Sequence, residues 1–142
     1  MEFQLRDGDT FGSNRTPFHA PPNETIGDDD RAECTYIGQW CTLRHLEQGF
    51  IDHACALWLR LKSRLGTEGV ALQHTYTGGP LYTCKRGHIM ICIQLSMKWN
   101  GYDERYKVPW LTDFTTETGI NITPKELRDW QWYAFAKLDY II

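Results

Sequence analysis

The densest group of chemically reactive side chains lies between Cys84 and Cys92, where two thiols flank the imidazole of His88. The Lys-Arg pair between Cys84 and His88 would lower the pKa of a nearby thiol and so favour a nucleophilic thiolate. A cysteine nucleophile also needs an orienting group and an oxyanion site, and the sequence specifies neither. A zinc site would need a fourth ligand and a paired Cys-X-X-Cys. We therefore interpret these residues as buried strand cysteines, with no metal and no cofactor.

A second place for chemistry is a pocket between a predicted sheet and a helix. Its candidate lining is His74, Tyr76, Tyr106 and Cys92, of which the histidine is the natural proton acceptor. The chain lacks a phosphate loop, a dinucleotide-binding fingerprint and a nucleophile elbow. A small enzyme or ligand carrier therefore stays an alternative, and a protein without enzymatic activity is the favoured interpretation.

The elements that would position these side chains form an α+β domain, in the order helix, antiparallel meander of three to four strands, helix. Both helices are expected on one face of the sheet. Apolar residues at steps of three and four predict the first helix over Thr42–Leu65. The capping box Thr123-Pro124-Lys125-Glu126 opens the second, which runs to about Asp139. The predicted buried face of the second helix comprises Leu127, Trp130, Ala134, Leu138 and Ile141.

The strongest predicted strand runs from His88 to Trp99, because apolar residues occupy every second position. Further strands are predicted at 70–77, 81–85 and 102–110. The turns between them are Gly78-Gly79-Pro80, Arg86-Gly87 and Asn100-Gly101. Turns this short join antiparallel neighbours, and residues 111–122 are expected to be a connection without regular structure.

Residues 1–31 are predicted to be a flexible acidic tail, and residues 32–142 a single domain. Through Glu33 the chain has eight acidic residues against three arginines, a balance of −5. The segment also has no hydrophobic period, so it cannot bury enough surface to offset the entropy of ordering. The whole chain of 142 residues has a net charge of −3, which excludes a strongly basic nucleic-acid-binding protein.

We expect a reducing compartment, the cytoplasm or the nucleus, because the first residues lack the apolar core of a signal peptide. The odd number of cysteines, five, also argues against a closed set of disulfides. Three Asn-X-Thr triplets, at Asn14, Asn23 and Asn121, point towards secretion, but Thr123 of the third has a helix-capping role. No stretch approaches the roughly 18 apolar residues of a membrane span.

The polar face of the predicted sheet offers one binding surface, suited to RNA without sequence preference. The residues that would form it are Gln94, Lys98, Arg105 and Lys107, with Lys85 and Arg86 at the adjoining turn. A polar face is also what an antiparallel sheet ordinarily shows to water. RNA binding is therefore the second hypothesis.

The C-terminal helix offers another surface, because Trp132 lies about 140° from the buried Leu127 on a helical wheel. Phe135 lies beside it, and Leu59 is the corresponding outward residue of the first helix. Exposed aromatic residues anchor protein partners. The leading hypothesis is therefore a non-enzymatic accessory or regulatory protein that binds another macromolecule, a protein partner or a second copy of itself as a homodimer.

Overall fold

Five α-helices make up the part of the chain that the computed structural model describes, residues 26–27, 29–66, 82–101 and 109–142. They are α1 (Asp30–Leu43), α2 (Gln48–Gly66), α3 (Lys85–Trp99), α4 (Trp110–Thr118) and α5 (Pro124–Lys137). Those residues contain no β-strand, so the predicted α+β architecture with an antiparallel sheet is wrong. At the centre, α3 contacts α2, α4 and α5, while α1 packs on α2.

The largest correction concerns α3, which replaces the predicted strand His88–Trp99. Every residue from Lys85 to Met97 is buried. A helix enclosed by its neighbours has no polar face, so its sequence loses the 3.6-residue period by which a helix is identified. The isoleucines at alternate positions then imitate a strand, although the residues between them are buried as well.

Of the two turns predicted beside that strand, Arg86-Gly87 belongs to α3 and Asn100-Gly101 follows its end. Lys85, Arg86 and Gly87 form its first turn. Asn100 follows its last residue, and Gly101 has a φ of 78°. This left-handed conformation commonly ends a helix, and it is also what a type I′ hairpin requires of glycine. The Asn-Gly dipeptide alone therefore does not distinguish a hairpin from a helix end.

The first predicted helix, Thr42–Leu65, is two helices in the structure. The first of them ends at Leu43, residues 44–47 form the connection, and α2 begins at Gln48. The part of the apolar stripe within α2 is confirmed, because its members are buried: Phe50, Ala54, Leu57, Leu61 and Leu65. Leu43 fits the same spacing but is 78% exposed. The apolar period of the sequence thus continues across the connection between two separate helices.

The start of α1 lies inside the segment predicted as a tail. The Asp29 carboxylate accepts a hydrogen bond from the Ala32 amide at 2.7 Å and so caps the helix. Asp30 and Glu33 in the first turn suit the positive end of the helix dipole. Residues 1–25 lie outside the described part of the chain, so the division between tail and domain stays a prediction.

The predicted connection 111–122 contains α4. This helix begins at Trp110 and ends at Gly119, which has a φ of 72°. Of the predicted strand 102–110, only residues 109 and 110 are described, and Trp110 already belongs to α4. The predicted strand 70–77 lies wholly outside the described residues.

The predicted C-terminal helix is confirmed as α5, including its capping box. The Thr123 hydroxyl accepts from the Glu126 amide at 3.1 Å, and the Glu126 carboxylate accepts from the Thr123 amide at 3.0 Å. Four residues of its predicted stripe are buried: Leu127, Trp130, Ala134 and Leu138. The fifth, Ile141, lies beyond the helix and is 62% exposed.

Gly87 is expected not to tolerate a side chain, because the Trp130 ring fills the space beside it. A Cβ on Gly87 would overlap that ring, with the Cζ2 atom 2.7 Å away. Gly87→Ala should therefore destabilise the protein by about 1–3 kcal/mol. In the matched control Gly38→Ala, the added Cβ would lie 3.8 Å from Ile51, which is an ordinary contact. The higher helix propensity of alanine should raise the free energy of unfolding by about 0.5–1 kcal/mol. Urea unfolding measures both, and equal effects would contradict this packing.

Candidate functional site

A groove of about 800 Å³ runs along one face of α1, and we call it the α1 groove. The helix residues that line it recur at steps of three and four: Ala32, Thr35, Tyr36, Gln39, Trp40 and Leu43. Arg31 and Arg44 lie at its two ends, about 20 Å apart at 1.5 Å per helical residue. Arg86 of α3 and Glu117 of α4 also line it. Three helices therefore define the site.

Tyr36 connects those three helices. Its hydroxyl donates to Glu117 Oε1 at 2.6 Å and accepts from Arg86 Nη1 at 3.3 Å. The Arg86 guanidinium also lies 5.1 Å from the centre of the Tyr36 ring. Burial and the Glu117 carboxylate raise the pKa of Tyr36, which keeps the phenol protonated and donating. This part of the α1 groove is therefore fixed before any ligand arrives.

Trp40 and Arg44 lie at one end of the α1 groove. The Arg44 guanidinium stacks 3.6 Å from the centre of the Trp40 ring and lies 3.9 Å from the Asp113 carboxylate. Trp40 is almost fully buried, and its indole N–H meets no acceptor among the residues that the structure describes. Leu43, also on this face of α1, is largely exposed.

The charges of the α1 groove favour an acidic ligand. Its two carboxylates are already engaged, because Asp29 caps α1 and Glu117 accepts from Tyr36. Arg31 is exposed, and its side chain forms no hydrogen bond or ion pair with any described residue. Arg44 contributes a second, partly exposed cation. A ligand that brings a carboxylate would therefore be attracted to either end of the groove.

Lys85, predicted as an exposed turn cation, belongs to a buried ionic cluster instead. Its ammonium lies 2.5 Å from the Glu33 carboxylate and donates to the Gly27 carbonyl at 2.8 Å. The same carboxylate accepts from Lys62 at 2.8 Å and from the Trp58 indole at 3.0 Å. This cluster holds α1, α2 and α3 together. It gives Lys85 a structural role within the core.

Gln94 and Arg86 are the other predicted RNA contacts that are buried. The Gln94 amide nitrogen donates to the Trp110 carbonyl at 2.9 Å, and its oxygen accepts from Gln131 at 2.7 Å. Arg86 lines the α1 groove, so among the described residues it is the one predicted RNA contact that reaches this candidate site. The sheet face that would have joined these residues does not exist in the described ranges.

Of the remaining predicted RNA contacts, Lys98 lies within the described residues. Lys98 is half-buried on α3, with its ammonium 5.3 Å from the centre of the Trp110 ring. Arg105 and Lys107 lie outside the described residues, as do three members of the predicted pocket: His74, Tyr76 and Tyr106. The fourth member, Cys92, is fully buried in α3. The described members of the predicted RNA surface and of the predicted pocket therefore lie on or beside helices, and the other members lie outside the described residues.

The predicted self-association surface is assembled in part. Trp132 is 44% exposed, and its ring lies 5.6 Å from that of Phe135, which in turn lies 5.1 Å from that of Tyr140. Leu59 is half-buried and packs against the core. A homodimer formed through these residues stays a prediction.

The reactive residues between Cys84 and Cys92 are part of the core. His88 Nδ1 accepts from the Trp130 indole at 3.2 Å, and its Nε2 donates to the Tyr82 carbonyl at 2.8 Å. Burial lowers the pKa of His88 to about 4 and raises the thiol pKa of Cys84 and Cys92. Both ring nitrogens are occupied and both thiols are protonated, which disfavours a nucleophile–base pair. The cysteines are buried as expected, but in and beside a helix.

The sequence patterns did not predict the α1 groove, because they did not predict α1. A signal was available in the capping residue Asp29 followed by aromatic and apolar residues at helical spacing, namely Tyr36, Trp40 and Leu43. The contribution of Arg86 and Glu117 could not be read in this way, since it depends on how distant helices meet.

Comparison with protein-family models, with curated proteins and with solved structures gives no match. In the described part of the chain, no helix combines the length and the hydropathy needed to cross a bilayer. The function must therefore be argued from the geometry of the α1 groove itself.

Proposed function

We propose that this protein is a non-enzymatic accessory protein that binds a partner protein through the α1 groove. The observation that carries the proposal is one face of α1, on which the exposed Leu43 and the ring of Trp40 lie between two arginines. The ligand that fits is a short, extended segment of the partner that combines a bulky apolar side chain with an acidic one.

The dimensions of the groove support an extended segment. Its length of about 20 Å accommodates roughly six residues of extended chain at about 3.3 Å each. An apolar side chain of the segment would pack on Leu43 beside Trp40. An Asp or Glu would pair with Arg31 or Arg44, the cations at the two ends.

The chemistry of the lining supports binding more than catalysis. Its ionisable groups position one another, as in the hydrogen bonds from Arg86 to Tyr36 and from Tyr36 to Glu117. The Thr35 hydroxyl donates to the Arg31 carbonyl at 2.8 Å. Three arginines interspersed with two carboxylates also suit a protein segment better than a phosphate backbone, which is bound by continuous positive charge.

The proposal includes a reducing compartment, the cytoplasm or the nucleus. It is supported by the odd number of cysteines, five, which does not fit a closed set of disulfides.

Peptides selected from a displayed random library against the whole protein are expected to carry an Asp or Glu near a Leu, Ile, Phe or Trp. Leu43→Asp should weaken their binding about tenfold or more, because it places a charge against the apolar side chain. Arg31→Glu should weaken it several-fold and should reduce its dependence on salt. Fluorescence anisotropy with a selected peptide measures both effects.

The matched controls carry the same chemical changes outside the groove. Ile141→Asp alters an apolar residue that is 62% exposed, and Lys125→Glu reverses the charge of an exposed residue of α5. Both controls should bind as the unmodified protein does. The proposal fails if no peptide is selected, or if the selected peptides bind Leu43→Asp normally. It also fails if the protein binds RNA in the anisotropy assay but binds no peptide.

A further inference from the structure

Two half-buried cysteines face each other across the contact between α1 and α2. The helices are joined by only four residues, 44–47, and pack side by side, so they run antiparallel. They approach closely at Gly38, where an added Cβ would lie 3.8 Å from Ile51 Cγ2. One turn earlier on α1 is Cys34, and one turn later on α2 is Cys55. The antiparallel register therefore places these two residues opposite each other.

The contacts of Cys55 agree with this register. Its Sγ lies 3.9 Å from the carbonyl oxygen of Cys34, and the Cys34 thiol is its hydrogen-bonding neighbour. Both side chains are partly exposed, so a small reagent can reach them. Gly38, one turn away, has no side chain to hold the two helices apart, which favours the short separation that a disulfide between helices requires.

We propose that Cys34 and Cys55 form a reversible disulfide that fastens α1 to α2 when a small-molecule disulfide such as oxidised glutathione is present. This modification site is independent of ligand binding in the α1 groove, which uses other residues of α1. In the reduced protein the pair stays as two thiols, as it is in this structure.

The reaction is thiol–disulfide exchange in two steps. Burial and the neighbouring Cys34 thiol raise the pKa of Cys55 to about 12, which disfavours Cys55 as the first nucleophile. The Cys34 thiolate breaks the sulfur–sulfur bond of oxidised glutathione, forms a mixed disulfide and releases one glutathione. Cys55 then loses its proton and attacks the Cys34 sulfur, which releases the second glutathione. Two protein thiols are oxidised, and one glutathione disulfide is reduced to two thiols.

The disulfide should stabilise the protein, because it closes a loop from residue 34 to residue 55 and restricts the unfolded chain. A rise in Tm of roughly 5–10 °C is expected for a protein of this size. The bond would also fix α1, whose other face lines the α1 groove, against the rest of the helices.

The test equilibrates the whole protein in glutathione buffers of increasing oxidised fraction, blocks free thiols and maps the peptides by mass spectrometry. We expect a crosslinked peptide pair containing Cys34 and Cys55, a matching rise in Tm, and reversal of both by dithiothreitol. Cys34→Ser and Cys55→Ser should each abolish the crosslink and the rise in Tm. Cys92→Ser, which removes a thiol buried in α3, should leave both intact.

Three results would overturn the proposal. These are a protein that stays fully reduced in the most oxidising buffer, glutathione adducts on Cys34 that never resolve, and a crosslink that joins Cys55 to Cys41. Because the crosslink and the Tm are read on the unmodified protein, a failure of either serine variant to fold would not obscure the answer. Peptide binding in the α1 groove is measured separately, so each proposal can fail alone.

Discussion

Replacing Glu33 with alanine is expected to destabilise the protein by about 3–5 kcal/mol, the usual cost of removing one partner from a buried ion pair. Glu33 is fully buried, and so is almost all of Lys85, whose ammonium it neutralises. The substitution leaves that ammonium without its carboxylate and removes the acceptor of the Trp58 indole. Chemical denaturation at neutral pH measures the loss.

A double substitution distinguishes the cost of leaving a buried charge unpaired from the net stability that the ion pair contributes. Glu33→Met with Lys85→Met removes both charges and keeps apolar volume, so it should destabilise the protein much less than Glu33→Ala. Lys62→Met removes the more exposed partner and should cost about 1 kcal/mol or less. If Glu33→Ala cost no more than Lys62→Met, the cluster would not have the role that its burial implies.

Acidification from pH 7 to pH 4 is expected to remove about 3 kcal/mol of stability through His88 alone. Burial lowers the pKa of His88 from 6.5 to about 4, and the hydrogen bond to the Tyr82 carbonyl opposes this only in part. The unfolded chain takes up a proton near pH 6.5, whereas the native protein does so only near pH 4. Stability from this residue is therefore complete above pH 6.5 and is lost as the pH falls towards 4.

His88→Gln provides the comparison, because an amide can accept from Trp130 and donate to Tyr82 without titrating. Urea midpoints measured from pH 7 to pH 4 should fall less steeply in this variant than in the unmodified protein. His53→Gln serves as a control, since His53 is only partly buried and should leave most of the acid sensitivity in place. Parallel slopes for His88→Gln and the unmodified protein would rule out a buried neutral histidine.

Local signals in the sequence predicted α5, and the buried face of α2, among the five helices of the described residues. The capping box at Thr123 fixes the start of α5 because both of its hydrogen bonds lie within four residues. The apolar stripe from Phe50 to Leu65 identifies α2, because one side of that helix is buried and the other is exposed to solvent. In both cases the information lies within a single helix, so no knowledge of the tertiary contacts is needed.

The other elements could not be predicted in this way, because their patterns are set by their surroundings. In α3, enclosure on all sides removes the contrast between faces and leaves a strand-like alternation of isoleucines. In α1, apolar and aromatic residues lie on two sides, since Ile37 faces the core while Tyr36 and Leu43 line the groove. The site itself joins Tyr36 to Glu117, 81 positions away, and no local pattern encodes that pairing.

The enclosure of α3 has a consequence for how this protein can diverge over generations. Most helices keep a water-facing side on which substitutions pass almost unnoticed. In α3 every position from Lys85 to Met97 is enclosed, so an exchange there disturbs packing whatever its chemistry. Substitutions that change what the protein binds are therefore expected in the outer helices, and above all in α1. New binding preferences can arise there while the centre stays constant.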